Sequence, residues 1–301
     1  MVETVPPLLG AGVRFLTAGA ILLTAVLLLG RRKRLRVTPR EALAAAAVGI
    51  LILVGGIGLL TLAERRLPSG LAALLIASVP RWVVLLRLIA KERVPRTTLA
   101  GVAGGFVGVA ILVLPGDRTG DAPLGWLAVL LAAALFTAIG ALASERLTLP
   151  QDTMLSTALE MGCAGAVLVL IGLAVAESAQ FDPTEISPRS LMALAFLVLI
   201  GSVVAYSAFV WLLQNASAST VATYAYVNPV ALILGWAMWS EQITPTILVG
   251  ALMILACVAL AARGEEKRTA EEESDPRRYS DDLAPSRTAR SDHRDDSASS
   301  S

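Results

Sequence analysis

The chain has 301 residues, 55% of them hydrophobic and only 16% charged, with a mean hydropathy of +0.70. A soluble domain carries about 25% charged residues, so this is the composition of a membrane protein. A net charge of +1 offers no basic surface for nucleic acid, and the single histidine, His293, sits in a polar tail; a buried histidine relay and a histidine metal cluster are thereby excluded.

A crossing of the bilayer needs about 20 mostly apolar residues. Nine runs meet that need: 8–30, 41–63, 71–89, 98–114, 124–143, 154–176, 190–213, 217–239 and 245–262. Short connections with breakers such as Pro39, Pro68, Pro95, Pro123, Pro150, Pro188 and Pro245 separate them. The expected class is an all-α polytopic membrane protein. The two cysteines, Cys163 and Cys257, stand inside apolar runs and read as small packing residues. No cofactor and no metal is expected. Beyond Ala262 the chain turns to Glu, Asp, Arg and Ser, and residues 263–301 are expected to be a disordered charged tail.

Positive charge sets the orientation. Alternate loops hold Arg31, Arg32, Lys33, Arg34, Arg36, Arg40, Lys91, Arg93, Arg96, Arg146, Arg263, Lys267 and Arg268, thirteen in all. The other set holds Arg65, Arg66, Arg118 and Arg189, four in all. The first set, with the C-terminal tail, is expected in the cytoplasm of a cell whose inner membrane holds the protein.

The chain also repeats itself at an offset of 149 residues. Pro80 aligns with Pro229, Glu92 with Glu241, Thr97 with Thr246, Leu99 with Leu248 and Gly101 with Gly250. The two glutamates fall on opposite sides of the membrane, so the repeats are expected to be inverted, as in many secondary transporters. On this reading residues 1–115 form a first, four-helix repeat and 124–262 a second, five-helix repeat. One helix is then absent at the start, leaving nine spans of a ten-helix plan.

Several residues could carry function. A charge inside the bilayer is costly, about 2.5–3.5 kcal/mol on insertion scales, and faces a cavity or a partner. Arg14, Arg81, Arg87 and Glu160 lie inside spans. Arg87 is near a helix end and can snorkel. Arg81 is close to mid-helix, beside Trp82, and is the expected binder of an anionic substrate group. Arg14 and Glu160 are either substrate residues or each other's structural partner. Glu160 is the deep acid available if a proton is the coupling ion. Pro80 and Pro229 are expected to break their helices in mid-span and act as hinges. Tyr206, Tyr224 and Asn228, with Trp82, Trp211 and Trp236, could line a weakly polar cavity, the alternative being ordinary aromatic packing. Glu92 and Glu241 read as acceptors for the backbone of the next helix start. Gly101/Gly105 and Gly104/Gly108 suit close helix contact, within one chain or in a homodimer.

Arg14-Phe15 early in the first span, Ser69-Gly-Leu-Ala-Ala through Pro80 to Glu92, and Ala225-Tyr-Val-Asn-Pro229 through Glu241 together resemble the EamA type of the drug/metabolite transporter superfamily. That resemblance implies a central cavity, alternating access and export of amino acids or other metabolites, often coupled to a proton or other gradient. Substrates in membrane and water, not enzymatic turnover, are therefore the expected business of the chain: no clustered acid pair, histidine or Gly-x-x-x-x-Gly-Lys-Ser/Thr loop supplies catalytic groups. The alternative is an inactive or truncated transporter-like membrane protein.

Overall fold

The computed structural model describes residues 6–29, 37–67, 69–92, 124–177 and 188–217, with the isolated positions 98–99, 102–104, 107 and 221. Its elements are helical throughout. α1 spans Pro7–Leu28. α2 spans Pro39–Ala63, and its middle, Ile50–Gly58, winds in wide π-helical turns. α3 (Ser69–Ile76) and α4 (Val79–Ile89) make one crossing between them. α5 is Leu124–Arg146 and α6 is Thr153–Ala174. α7 starts as Pro188–Phe196, passes through π-helical turns over Leu197–Val204 and continues as Ala205–Asn215.

The helix starts are written locally. At α2, Thr38 accepts from the Glu41 amide while the Glu41 carboxylate accepts from the Thr38 amide at 2.7 Å, and Pro39 fills the first turn where its missing N–H costs nothing. At α6, Asp152 accepts from the amides of Met154 and Leu155. The start of α1 is capped from far along the chain: Glu177, just past α6, accepts from the amides of Leu8 at 3.1 Å and Leu9 at 3.0 Å. A carboxylate there meets the positive end of the helix dipole and ties α1 to α6 at one end of the bundle.

Lipid is as apolar as leucine, so membrane helices associate through close contact rather than through expulsion of water. α1 and α6 do so over small residues. A methyl group on Gly165 would lie 2.7 Å from the Leu16 amide nitrogen, and one on Gly12 would lie 2.7 Å from a Val169 methyl. α2 packs on α5 and α6, α4 on α5, and the π-helical part of α7 on α1. Phe15, Leu22, Leu53, Met161 and Leu168 fill the main core. A second core joins Leu67, Leu71, Leu74 and Leu75 to Leu127 and Leu130 of α5.

Two expectations change here. Among the described residues, six helices are long and apolar enough to cross a membrane: Pro7–Leu28, Pro39–Ala63, Leu71–Ile89, Leu124–Arg146, Thr153–Ala174 and Ser190–Asn215. The architecture of nine spans in two inverted repeats is therefore corrected to an all-α polytopic membrane protein with six described spans. The run 245–262 lies outside the described residues, as does most of 217–239 and of 98–114. The second correction concerns the crossing 71–89. It is not one helix broken at Pro80 but two helices meeting at Ala77–Ser78, with Pro80 in the first turn of α4.

Candidate functional site

Ionisable side chains inside the bundle fall into two groups with different surroundings. The first is the α3–α4 junction. Ala77 bonds back to Ala73 and Ser78 to Leu75, and then the helix register slips. The Arg81 amide goes to the Ser78 carbonyl at 2.9 Å, which leaves the Ala77 carbonyl without its usual backbone donor. The Arg81 guanidinium takes that place: its Nη1 donates to the Ala77 carbonyl at 2.9 Å. A carbonyl freed inside a membrane must be satisfied by protein or cavity water. Here an arginine on the next turn does it, and the residue is only 2% exposed. Trp82 is half-buried against the main core.

The second group lies where α1, α6 and α7 meet. Arg14 is half-buried about 10 Å along α1 from its start, at 1.5 Å per residue. Its Nε donates to the Ser202 hydroxyl at 2.7 Å, and its guanidinium carbon is 5.0 Å from the centre of the Phe15 ring. Among the described residues Ser202 is its hydrogen-bond partner, so the two Nη groups keep their donors. Gly201 leaves room beside them, since a methyl group there would lie 3.2 Å from Arg14 Nη2.

One turn further along α7, Tyr206 donates its hydroxyl to Glu160 Oε2 at 2.8 Å, and Ser156 donates to Oε1 at 3.0 Å. Glu160 is 1% exposed. Its backbone is pressed from behind by α2: a methyl group on Gly49 would lie 2.5 Å from the Glu160 carbonyl oxygen. Hydroxyls of α6 and α7 thus hold this carboxyl group, and α2 packs against the backbone that carries it. Ser202 and Tyr206 are four residues apart, about 6 Å along the axis, so α7 holds Arg14 and Glu160 at adjacent levels.

Arg14 and Glu160 are accordingly not each other's partner among these contacts; each is engaged by a hydroxyl of α7. Tyr206 and Glu160 are brought together, whereas Arg81 and Trp82 belong to the α3–α4 junction. Tyr224, Asn228 and Pro229 lie outside the described residues, with Tyr226 and Trp236. Trp211 is 53% exposed near the end of α7. Glu92 accepts from Arg146 at 2.7 Å and from Arg87 at 3.5 Å; the start of the segment that follows it, 93–97, and Glu241 lie outside the described residues. Sequence reasoning missed Ser156, Ser202 and Gly49. The hydroxyls had a readable signal: each is a serine in an apolar helix, within a few residues of a singled-out polar group.

The sequence matches the EamA-like transporter family over residues 1–114 and 124–263. Over 267 residues it is 34% identical to YedA, an uncharacterized inner membrane transporter of Escherichia coli (strain K12), covering 88% of this chain and 84% of that protein. It is 27% identical over 257 residues to YvbV, an uncharacterized transporter of Bacillus subtilis (strain 168), covering 85% of this chain and 82% of that one. A probable terminal-alkyne amino-acid exporter of Streptantibioticus cattleyicolor is 30% identical over 208 residues, 68% of each chain. A solved crystal structure superposes with a TM-score of 0.61 at 20% identity, covering 86% of this chain and 88% of that one, a likeness of fold.

Proposed function

Because the chain belongs to the EamA-like transporter family, we propose that it works as a secondary transporter, an exporter of amino acids or related organic anions by alternating access. The observation that carries the anionic class is Arg14. A guanidinium with Nε fixed by Ser202 and, among the described residues, both Nη groups still available presents a planar, charged fork inside the bundle. Carboxylates fit such a fork in bidentate fashion. Support for amino acids comes from the Streptantibioticus cattleyicolor relative, whose description is that of an amino-acid exporter.

The same reading gives Glu160 the coupling proton. Its carboxyl group, held by two hydroxyls and closed off from water, is a place where a proton and a bundle rearrangement can be linked. The protein sits in the inner membrane, and the excess of Lys and Arg in one set of loops supports a cytoplasmic C-terminal tail. A cytoplasm-only fluorescent reporter fused after Arg263 lights up on this reading; a dark fusion with normal expression reverses the orientation.

The test is flux in proteoliposomes holding the full chain, with a panel of amino acids and organic acids and an imposed pH gradient. Gradient-driven movement of carboxylate-bearing solutes is expected, lost in Glu160→Gln. Movement of cations alone would overturn the anionic class, and flux indifferent to pH in wild type would remove Glu160 from coupling.

A further inference from the structure

Away from Arg14, the ends of α5, α6 and α7 surround a cavity of about 710 Å³ beside the α5–α6 turn. That is the size of a small-molecule site, which ranges over about 300–1,000 Å³. Its walls include Glu145, Gln151, Thr153, Trp211, Gln214 and Asn215. Gln214 is held in place: its Oε1 accepts from the Thr153 hydroxyl at 2.6 Å, and its Nε2 donates to the Pro150 carbonyl at 3.3 Å. Among the described lining residues Glu145 carries the only charge, and Trp211 supplies an exposed aromatic face. A negative charge beside an indole suits a ligand with an ammonium group and an apolar side chain.

Glu145 has a second engagement. Arg87 of α4 donates from Nη2 to both of its oxygens at 2.9 Å. The Nη1 of the same arginine is 3.5 Å from Glu92, which Arg146 also holds, at 2.7 Å. The Glu145 side chain remains 22% exposed, within reach of a ligand in the cavity. Arg87 therefore has an alternative acid beside it, and Glu145 belongs at once to the cavity wall and to the ion pair joining α4 to α5.

We propose that this cavity is a docking vestibule for the ammonium group of the substrate, and that docking on Glu145 displaces Arg87 toward Glu92, loosening α4 from α5 at this end of the bundle. For the identity of the substrate this rests on the proposed amino-acid transport. Trp211 and Ser202 are about 14 Å apart along α7 at 1.5 Å per residue, so an amino acid would be read in turn, by its ammonium group at the vestibule and then by its carboxylate at Arg14.

Two half-substrates separate the sites: leucinamide has the ammonium group without a carboxylate, and N-acetyl-leucine the reverse. Both are titrated against the full chain in detergent by tryptophan emission, with Trp211→Phe identifying the cavity signal. Leucinamide is expected to change Trp211 emission saturably, and N-acetyl-leucine is not. Glu145→Gln should weaken leucinamide binding about tenfold, the scale of a charge-assisted hydrogen bond. Arg87→Gln should tighten it by about threefold, because one competitor for the carboxylate is gone. A merely structural ion pair would make the two variants fail alike. The vestibule is overturned by equal weakening in both, by unchanged binding in Glu145→Gln, or by silence at Trp211. If Glu145→Gln does not reach the membrane, Glu145→Asp keeps the charge and must keep binding, and the tightening in Arg87→Gln decides. Flux without a leucinamide response defeats the vestibule alone; a leucinamide response without flux of any amino acid defeats the transport reading alone.

Discussion

Arg14 and Arg81 are the same residue in the same kind of place, inside a membrane-spanning helix, yet their surroundings make them different objects. Arg81 is 2% exposed and donates to the Ala77 carbonyl of its own chain, closing a gap in the backbone at the α3–α4 junction. Arg14 is held by a side chain of another helix through Nε, and among the described residues its Nη edge keeps its donors. Both bear the cost of a charge in the membrane. In one case the guanidinium closes a gap in its own backbone; in the other we propose that it meets a ligand. Depth in the bilayer identifies an expensive residue, while the destination of each donor identifies its job.

Breaking the Arg81 side of this comparison should give the largest loss of stability. Arg81→Met removes the donor and leaves the Ala77 carbonyl unsatisfied within the membrane, costing about 2–3 kcal/mol; thermal unfolding in detergent measures it. Gly49→Ala attacks the other side indirectly. Its methyl group must push α2 off the Glu160 backbone, an overpacking cost of about 1–3 kcal/mol. Thermal unfolding should register it, and pH-gradient-driven flux should fall with it; an unchanged melting temperature would mean that α2 does not fix Glu160.

Ser202→Ala sharpens the comparison at the scale of one hydrogen bond, about 1 kcal/mol or fivefold in apparent substrate affinity. In an Arg14→Gln background the same change should add little, because the serine acts through the arginine. Additive effects would separate the two residues. The smallest effect belongs to the end of α4, where Lys91 adopts φ 61°, a left-handed conformation that favours glycine. Lys91→Gly should stabilise by about 0.5–1 kcal/mol in the same unfolding assay, without moving substrate affinity.

Much of this was legible in the sequence. Apolar runs gave the six described spans within a few residues, from 8–30 against Pro7–Leu28 to 190–213 against Ser190–Asn215, because hydropathy and length are properties of a local segment. The count of nine is corrected to six among the described residues, and the runs 98–114, 217–239 and 245–262 lie mostly or wholly outside them. Deep ionisable residues picked out Arg14 and Glu160 on cost alone. What they touch was not legible. Ser202 is 188 residues from Arg14 and Tyr206 is 46 from Glu160, and only the packing of α7 decides those pairs. Counted along 71–89 as a single helix, Pro80 falls in mid-helix; the turn at Ala77–Ser78 resets the count and makes it a first-turn proline. The cap on α1 by Glu177 has no local signature at all.

The most direct measurement sets Arg14→Gln beside Arg81→Gln in proteoliposomes matched for inserted protein, reading flux of a carboxylate-bearing substrate and its apparent affinity. If Arg14 is the anion fork, Arg14→Gln lowers kcat/KM for that substrate by about ten- to a hundredfold, the scale of charge-assisted hydrogen bonds. Arg81→Gln should then reduce the amount of folded protein and leave the affinity of what remains unchanged. Normal affinity in Arg14→Gln together with a collapse of affinity in well-folded Arg81→Gln would contradict this assignment and return the anion site to the α3–α4 junction.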